Sequence, residues 1–217
     1  MPSRPGKVRL KTPPAELLAS GILLPDLPPS ASLDLPSAFG AARPVEVEIG
    51  PGKGAFLVRR ARRRPEINLL GVEWVRPYAM LVADRALRAG LANVRILCAD
   101  AGPLLRGGLA AASLRRVHIY FPDPWPKRRH RGRRLVTAGF LAAVRRALAP
   151  GGWVGIVTDD DDYFAQIRRA LALADGLAPT PFRPVGDVRG WLVGSNFEKK
   201  YAGTGRRFHA AAAVRLR

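Results

Sequence analysis

The chain has 217 residues, 47% of them hydrophobic, which suffices for one sizeable core and argues against a disordered protein. Its 36 Lys and Arg against 17 Asp and Glu give a formal charge of +19, an excess that points to a polyanionic partner, nucleic acid before membrane. Cys98 is the only cysteine, no apolar run is long enough to span a bilayer, and the basic N-terminus runs into prolines, so a cytoplasmic protein without disulfides is expected.

Residues 1–44 are Pro-rich and patternless and read as an N-terminal arm, extended or wrapped on the domain that follows over 45–217. From Pro44 the pattern becomes regular. VEVEI (45–49) is a strand and AFLVRRARRR (55–64) a helix. NLLGVEW (68–74) is a strand and VRPYAMLVADRALRAG (75–90) a helix closed by Gly90. NVRILCAD (93–100) is a strand, and a Gly/Ala-rich stretch with weak helical character leads to another, RRVHIYF (115–121). VTAGFLAAVRRALAP (136–150) is a helix stopped by Pro150-Gly151-Gly152. WVGIVT (153–158) is a strand and DDYFAQIRRALALA (161–174) a helix with an acidic first turn. A strand near 188–193, a loop SNFEKKYAGTGRR and a last strand FHAAAAVRL complete the chain. Alternation at these lengths predicts an α/β fold with a mainly parallel sheet.

Ligands of such sheets bind beyond the carboxyl ends of the strands. Glu48, Glu73, Asp100, Asp123 and Asp159 all stand at or just past those ends. EIGPGKG (48–54) places Gly50, Gly52 and Gly54 between the first strand and first helix, G-x-G-x-G rather than the G-x-G-x-x-G of dinucleotide enzymes. A dinucleotide needs the helix N-terminus for its pyrophosphate. S-adenosylmethionine has no phosphate but carries a sulfonium and an amino group. Glu48 suits that cationic end, Glu73 can accept both ribose hydroxyls, and Asp100 can reach the adenine amino group. NAD stays open as the competitor, because Glu73 would serve its ribose equally well.

Residues 120–129 read YFPDPWPKRR. Prolines so spaced fit neither a helix nor a central strand, so Asp123 and Trp125 stand on a stiff loop before a basic run. Trp125 can stack on a base or pack inward. The run from Lys127 to Arg134 suits nucleic acid, although a solvated loop gives the same letters. Asp160, Asp161 and Asp162 read as helix-capping acids, Ser195 and Glu198 as a capping box, Arg59 to Arg64 as the wet face of the first helix with nucleic-acid contact left open, and His118 and Cys98 as core. The histidines and cysteine show no metal-ligand spacing.

EIGPGKG, GVEW, CAD, FPDPWPKRRHRGRR, TDDDDY and SNFEKK, in that order, resemble the bacterial tRNA (guanine-N7-)-methyltransferases over roughly residues 45 to 215. The resemblance implies a Rossmann-like class I methyltransferase fold, with a mainly parallel seven-stranded sheet and helices on both faces. It implies S-adenosylmethionine as methyl donor and tRNA as partner, methylated at N7 of the guanine at position 46 in the variable loop. It places Glu48, Gly50, Gly52, Gly54, Glu73, Asp100 and Asp123 at the cofactor, with Asp123 also the catalytic acid. Lys127, Asp159 and the stretch Ser195, Asn196, Phe197 and Glu198 would contact substrate, with Arg129, His130, Arg131, Arg133 and Arg134 on the tRNA. Ser195 stands where the family usually has Thr, Pro126 where it has His, and Asp160 where an aromatic is common. A methyltransferase of an exocyclic amine and a non-catalytic RNA-binding module are the alternatives; monomer and homodimer both stay open.

Overall fold

The computed structural model describes residues 8–28, 31–185 and 190–217. Seven strands form one sheet in the order β3-β2-β1-β4-β5-β7-β6. They are β1 (Val45–Ile49), β2 (Asn68–Glu73), β3 (Val94–Cys98), β4 (Leu114–Tyr120), β5 (Leu148–Thr158), β6 (Leu177–Thr180) and β7 (His209–Arg215). Pairing is parallel from β3 to β5, and β7 runs antiparallel between β5 and β6. The expected α/β architecture is therefore present.

Every residue of β1 and β2 is buried, as in a parallel strand covered on both faces. Alternate side chains enter different cores. Val45, Val47 and Ile49 join Leu70 and Val72 beneath α2 (Leu35–Phe39), α6 (Ala138–Ala147) and α7 (Asp161–Ala172). Leu69 and Ile67 face the other side with α1 (Pro14–Ala19), α3 (Ala55–Arg63) and α4 (Arg76–Arg88). No helix among the described residues is long and apolar enough to cross a membrane.

Several boundaries differ from the sequence expectation for physical reasons. The helix before β5 ends at Ala147, not at Pro150, because buried Leu148 turns extended and pairs with Leu114. The Pro-Gly-Gly is then absorbed as a bulge within β5 before Trp153 pairs with Arg116. The four-residue β6 carries Pro179, which only an edge strand tolerates, and the proline hid it from a strand reading. The Gly/Ala-rich stretch yields a single turn, α5 (Ala101–Pro103), and a π-turn. The strand expected near 188–193 falls partly on residues outside those described, and 190–193 form turn and bend. The loop expected after Gly194 contains a short helix, α8 (Asn196–Tyr201).

The arm is packed, not splayed. Leu17 and Leu23 are buried in the core under α4, and Leu23 bridges to Ile96 on β3. Asp84 of α4 accepts the Thr12 N–H at 2.9 Å.

Candidate active site at the carboxyl edge of the sheet

Between β1 and α3 the chain must turn sharply while staying close to the sheet. Gly50, Gly52 and Gly54 all have positive φ, a region costly for residues with a Cβ. At Gly54 a Cβ would also stand 2.7 Å from Val82 Cγ1, so the glycine lets α3 approach α4. Above Gly50 and Gly52 there is open space, a backbone floor on which a ligand can lie.

Glu48 and Glu73 border this floor. Glu73 is buried at the end of β2, and its oxygens accept the N–H groups of Gly52 (3.0 Å) and Val75 (2.9 Å). Burial raises its pKa, backbone N–H groups oppose the shift, and Asp123 adds to it. Glu48 is more extreme. Its Oε2 is buried without a hydrogen-bond partner, and burial pushes its carboxyl up to about 8 against the opposing charge of Arg59. The N-terminus of α3 is already engaged: Asn196 Oδ1 accepts the Ala55 N–H at 3.2 Å, and the Leu57 backbone bonds to Glu48. A pyrophosphate would find carboxylates where it needs donors. These residues fit a cationic ligand.

Asp100, exposed beyond β3, spends one oxygen on the Gly102 N–H at 2.8 Å and keeps the other free. Asp123 is exposed on its loop and has no hydrogen bond or ion pair among the described residues. The loop itself is strained. Phe121 (φ 54°) and Trp125 (φ 45°) have left-handed backbones that cost on the order of 1–3 kcal/mol each unless the surroundings impose them. Phe121 stacks on Phe197 at 4.6 Å between ring centres. Trp125 lies half-buried, edge-on to His130 (5.9 Å) and under the Arg133 guanidinium (5.1 Å). It belongs to no buried hydrophobic cluster.

The basic run divides. Lys127, Arg129, Arg131 and Arg133 are exposed, and His130 is partly so. Arg131 reaches Asp162 at 3.3 Å. Arg134 is buried and committed inward, which removes it from the RNA-contacting set. It donates to Pro124 O (2.7 Å), Gln166 Oε1 (2.8 Å) and Asp162 Oδ2 (2.6 Å), with Tyr163 under its guanidinium. Its role is to hold the Asp123 loop onto α7. Glu198 is engaged with the backbone as well. Its buried carboxylate accepts the N–H groups of Leu192, Val193 and Gly194, while its own N–H bonds to Ser195 Oγ at 3.1 Å. Those three donors leave one lone pair on Oε1; Glu198 orders the segment before α8 and Ser195 caps that helix.

Asp159 sits at the end of β5 as expected, but it is ion-paired to Arg206, whose guanidinium lies 4.1 Å over Tyr201. Asp160 caps α7 through the Tyr163 N–H at 2.7 Å, in line with the capping reading. The wet-face reading of Arg59 to Arg64 fails for its first two members. Arg59 donates to Gly194 O at 2.8 Å and to Val193 O. Arg60 is buried against Glu46 (2.8 and 2.9 Å). Glu46 also meets His118 Nε2 at 2.9 Å, and His118 Nδ1 meets the Tyr120 hydroxyl at 2.7 Å, which anchors the end of β4 just before the loop. Burial opposes the charge on Glu46, but His118 and Arg60 overcome it and hold the carboxyl low. Arg59 and Arg206 escaped the sequence reading, since nothing in a basic run marks the arginine that turns inward.

A family model described as "Putative methyltransferase" matches residues 42–201. A tRNA (guanine-N(7)-)-methyltransferase of Bordetella pertussis is 41% identical over 160 residues, 70% of this chain and 63% of that protein's length. The chain thus spans less than two thirds of that relative. One of Alkalilimnicola ehrlichii is 38% identical over 79% of this chain and 74% of its own length. Among solved structures, a mutant 16S rRNA (adenine(1408)-N(1))-methyltransferase from Catenulisporales acidiphilia, crystallised with cosubstrate SAM, superposes with a TM-score of 0.60. It is 19% identical and covers 91% of this chain and 95% of that one. The antibiotic-resistance methyltransferase Kmr gives 0.58 at 21% identity over 83% and 91%. These two carry the fold, and the sequence relatives carry the lineage: the chain belongs to the methyltransferase family whose curated members include the tRNA (guanine-N(7)-)-methyltransferases.

Proposed function

We propose that the protein is an enzyme that transfers the methyl group of S-adenosylmethionine to N7 of a guanine in tRNA, at position 46 as the motif resemblance implies. The observation that carries this reading is the buried, partnerless Oε2 of Glu48 beside an open glycine floor. An unsatisfied buried carboxylate is costly, and an ammonium or sulfonium relieves the cost where a pyrophosphate would increase it. Glu73 retains lone pairs for ribose hydroxyls and Asp100 a free oxygen for an adenine amino group.

The bound cofactor supplies an electrophilic methyl group on a sulfonium. Guanine N7 already carries a lone pair, so no base has to remove a proton. What the chain must supply is placement of the ring and negative charge beside it as it becomes cationic. Asp123 has that charge, no competing partner and a backbone fixed by prolines. A carboxylate can also accept from guanine N1–H and the 2-amino group. Asp159 would serve this once it parts from Arg206, and Glu198 only through the lone pair that its three backbone donors leave. The exposed basic side chains beside the loop would carry backbone phosphates.

Incubation with labelled S-adenosylmethionine and unmodified tRNA, followed by nucleoside analysis, should yield 7-methylguanosine. A label on an exocyclic amine, or none in a protein that binds both ligands, would overturn the proposal.

A further inference from the structure

A second cavity lies away from these groups, at the opposite edge of the sheet. Its volume is about 400 Å³, and Arg115, Arg116, Trp153, Thr180 and Arg183 line it. Arg115 and Arg116 open β4, Trp153 lies in β5, Thr180 ends β6, and Arg183 belongs to the segment that follows. The length of β4 puts the cavity roughly 15–20 Å from the loop that carries Asp123.

Three arginines and a Thr hydroxyl share the lining with an apolar side formed by Trp153, Pro181, Val185 and Val214. Arg115 and Arg183 are exposed and have no hydrogen bond or ion pair among the described residues. Arg116 reaches Glu46 only at 3.7 Å and lies 5.5 Å over the indole of Trp153. The indole lies along Gly155, where a Cβ would fall 1.9 Å from it, so a glycine is required to seat the ring. Thr180 offers a hydroxyl, and no described lining residue is acidic. Burial opposes the charge on Arg116, Glu46 supports it, and Arg60 and Arg115 oppose it, so a bound anion would add to what Glu46 supplies.

We infer that this cavity binds a nucleotide phosphate, with the arginines on the phosphate and the indole beside the sugar or base. Two sources share that chemistry: a nucleotide of the bound tRNA and a free mononucleotide. The charge of +19 favours the tRNA, held on the face away from methyl transfer. That arm rests on the tRNA reading proposed above; the mononucleotide arm does not.

Arg115→Ala/Arg183→Ala removes two exposed side chains without touching the core. Arg168→Ala/Arg169→Ala, on the exposed face of α7, removes equal charge elsewhere. tRNA binding is measured against salt, and uridine 5′-monophosphate is titrated calorimetrically with S-adenosylhomocysteine saturating the methyl-donor site. We expect the first pair to weaken tRNA binding about 3- to 30-fold and to flatten the salt slope by about one to two units. The control pair should change the slope by less than half as much. Uridine monophosphate binding that the first pair abolishes would support the cavity with a free nucleotide as its ligand. Equal effects of both pairs on tRNA, or no tRNA binding by the wild type, together with no nucleotide binding, would overturn the inference. Absence of 7-methylguanosine with an intact nucleotide effect would instead sink the proposed reaction alone.

Discussion

At the scale of single residues, the two informative carboxylates behave oppositely. Glu48 is buried and raised to about 8, so the free protein holds it neutral at pH 7. A cationic ligand needs it ionised, so binding should release a proton and strengthen as pH rises toward 8, by up to about tenfold per unit. Calorimetry at pH 7 in buffers of different ionisation heat should show close to one proton released per S-adenosylmethionine; none released would detach Glu48 from the ligand. Stability runs the other way. Between the ordinary value of 4.5 and about 8 the folded state keeps a proton that the unfolded chain has lost, so stability falls as pH rises through that window. Above pH 8, Glu48→Gln should therefore be more stable than wild type by about 1–2 kcal/mol while binding the cofactor less well. Asp123 is exposed and outside the core. Asp123→Asn should stay folded and lose turnover, about 10²–10³-fold, as for one preorganised electrostatic group. Single-turnover transfer from pH 6 to pH 9 tests this, and the wild-type rate at saturating ligands should not climb log-linearly with pH. An unchanged rate in the mutant would take Asp123 out of the chemistry.

At the scale of elements, the Asp123 loop depends on Arg134 more than on its prolines alone. The guanidinium ties Pro124 to α7, and its removal leaves the half-buried Pro124 carbonyl and the exposed Asp162 without that donor. Arg134→Ala should lower stability by about 1–3 kcal/mol, the range for losing hydrogen bonds made by a buried charged group, and should cut turnover. Arg133→Ala should leave stability within about 0.5 kcal/mol. Urea unfolding of both variants separates them: equal stability would return Arg134 to the solvent-facing run. The contrast shows where the sequence stops being legible. Strands β1 to β4 are readable because short runs rich in Val, Ile and Leu, bounded by turn residues, have one stable home between two helical layers. The acids at their ends are readable because strand polarity fixes which edge they occupy. Whether Arg133 or Arg134 turns inward depends on Gln166, Asp162 and Tyr163, some thirty residues away, and no local pattern encodes it. Glu198 reads locally as a capping partner of Ser195, as found, but its bonds to residues 192–194 exist only once that segment folds back over it.

At the scale of the molecule, the Pro-rich arm is part of the body. Leu17 is fully buried against α4, so Leu17→Ala should lower stability by about 2–5 kcal/mol. In urea this appears as a lower midpoint with an unchanged slope; a wild-type midpoint would mean that the arm folds apart from the domain. The order of strands has a separate consequence, for the protein while it is being made. β7 stands between β5 and β6 but follows both of them in sequence. A growing polypeptide therefore carries β5 with one edge bare, and β6 with no partner at all, until residues 209–215 emerge. Open edges of that kind invite pairing with other chains. A ribosome stalled before His209 would hold β5 and β6 with an adhesive flank between them, which residues 209–215 close once they emerge.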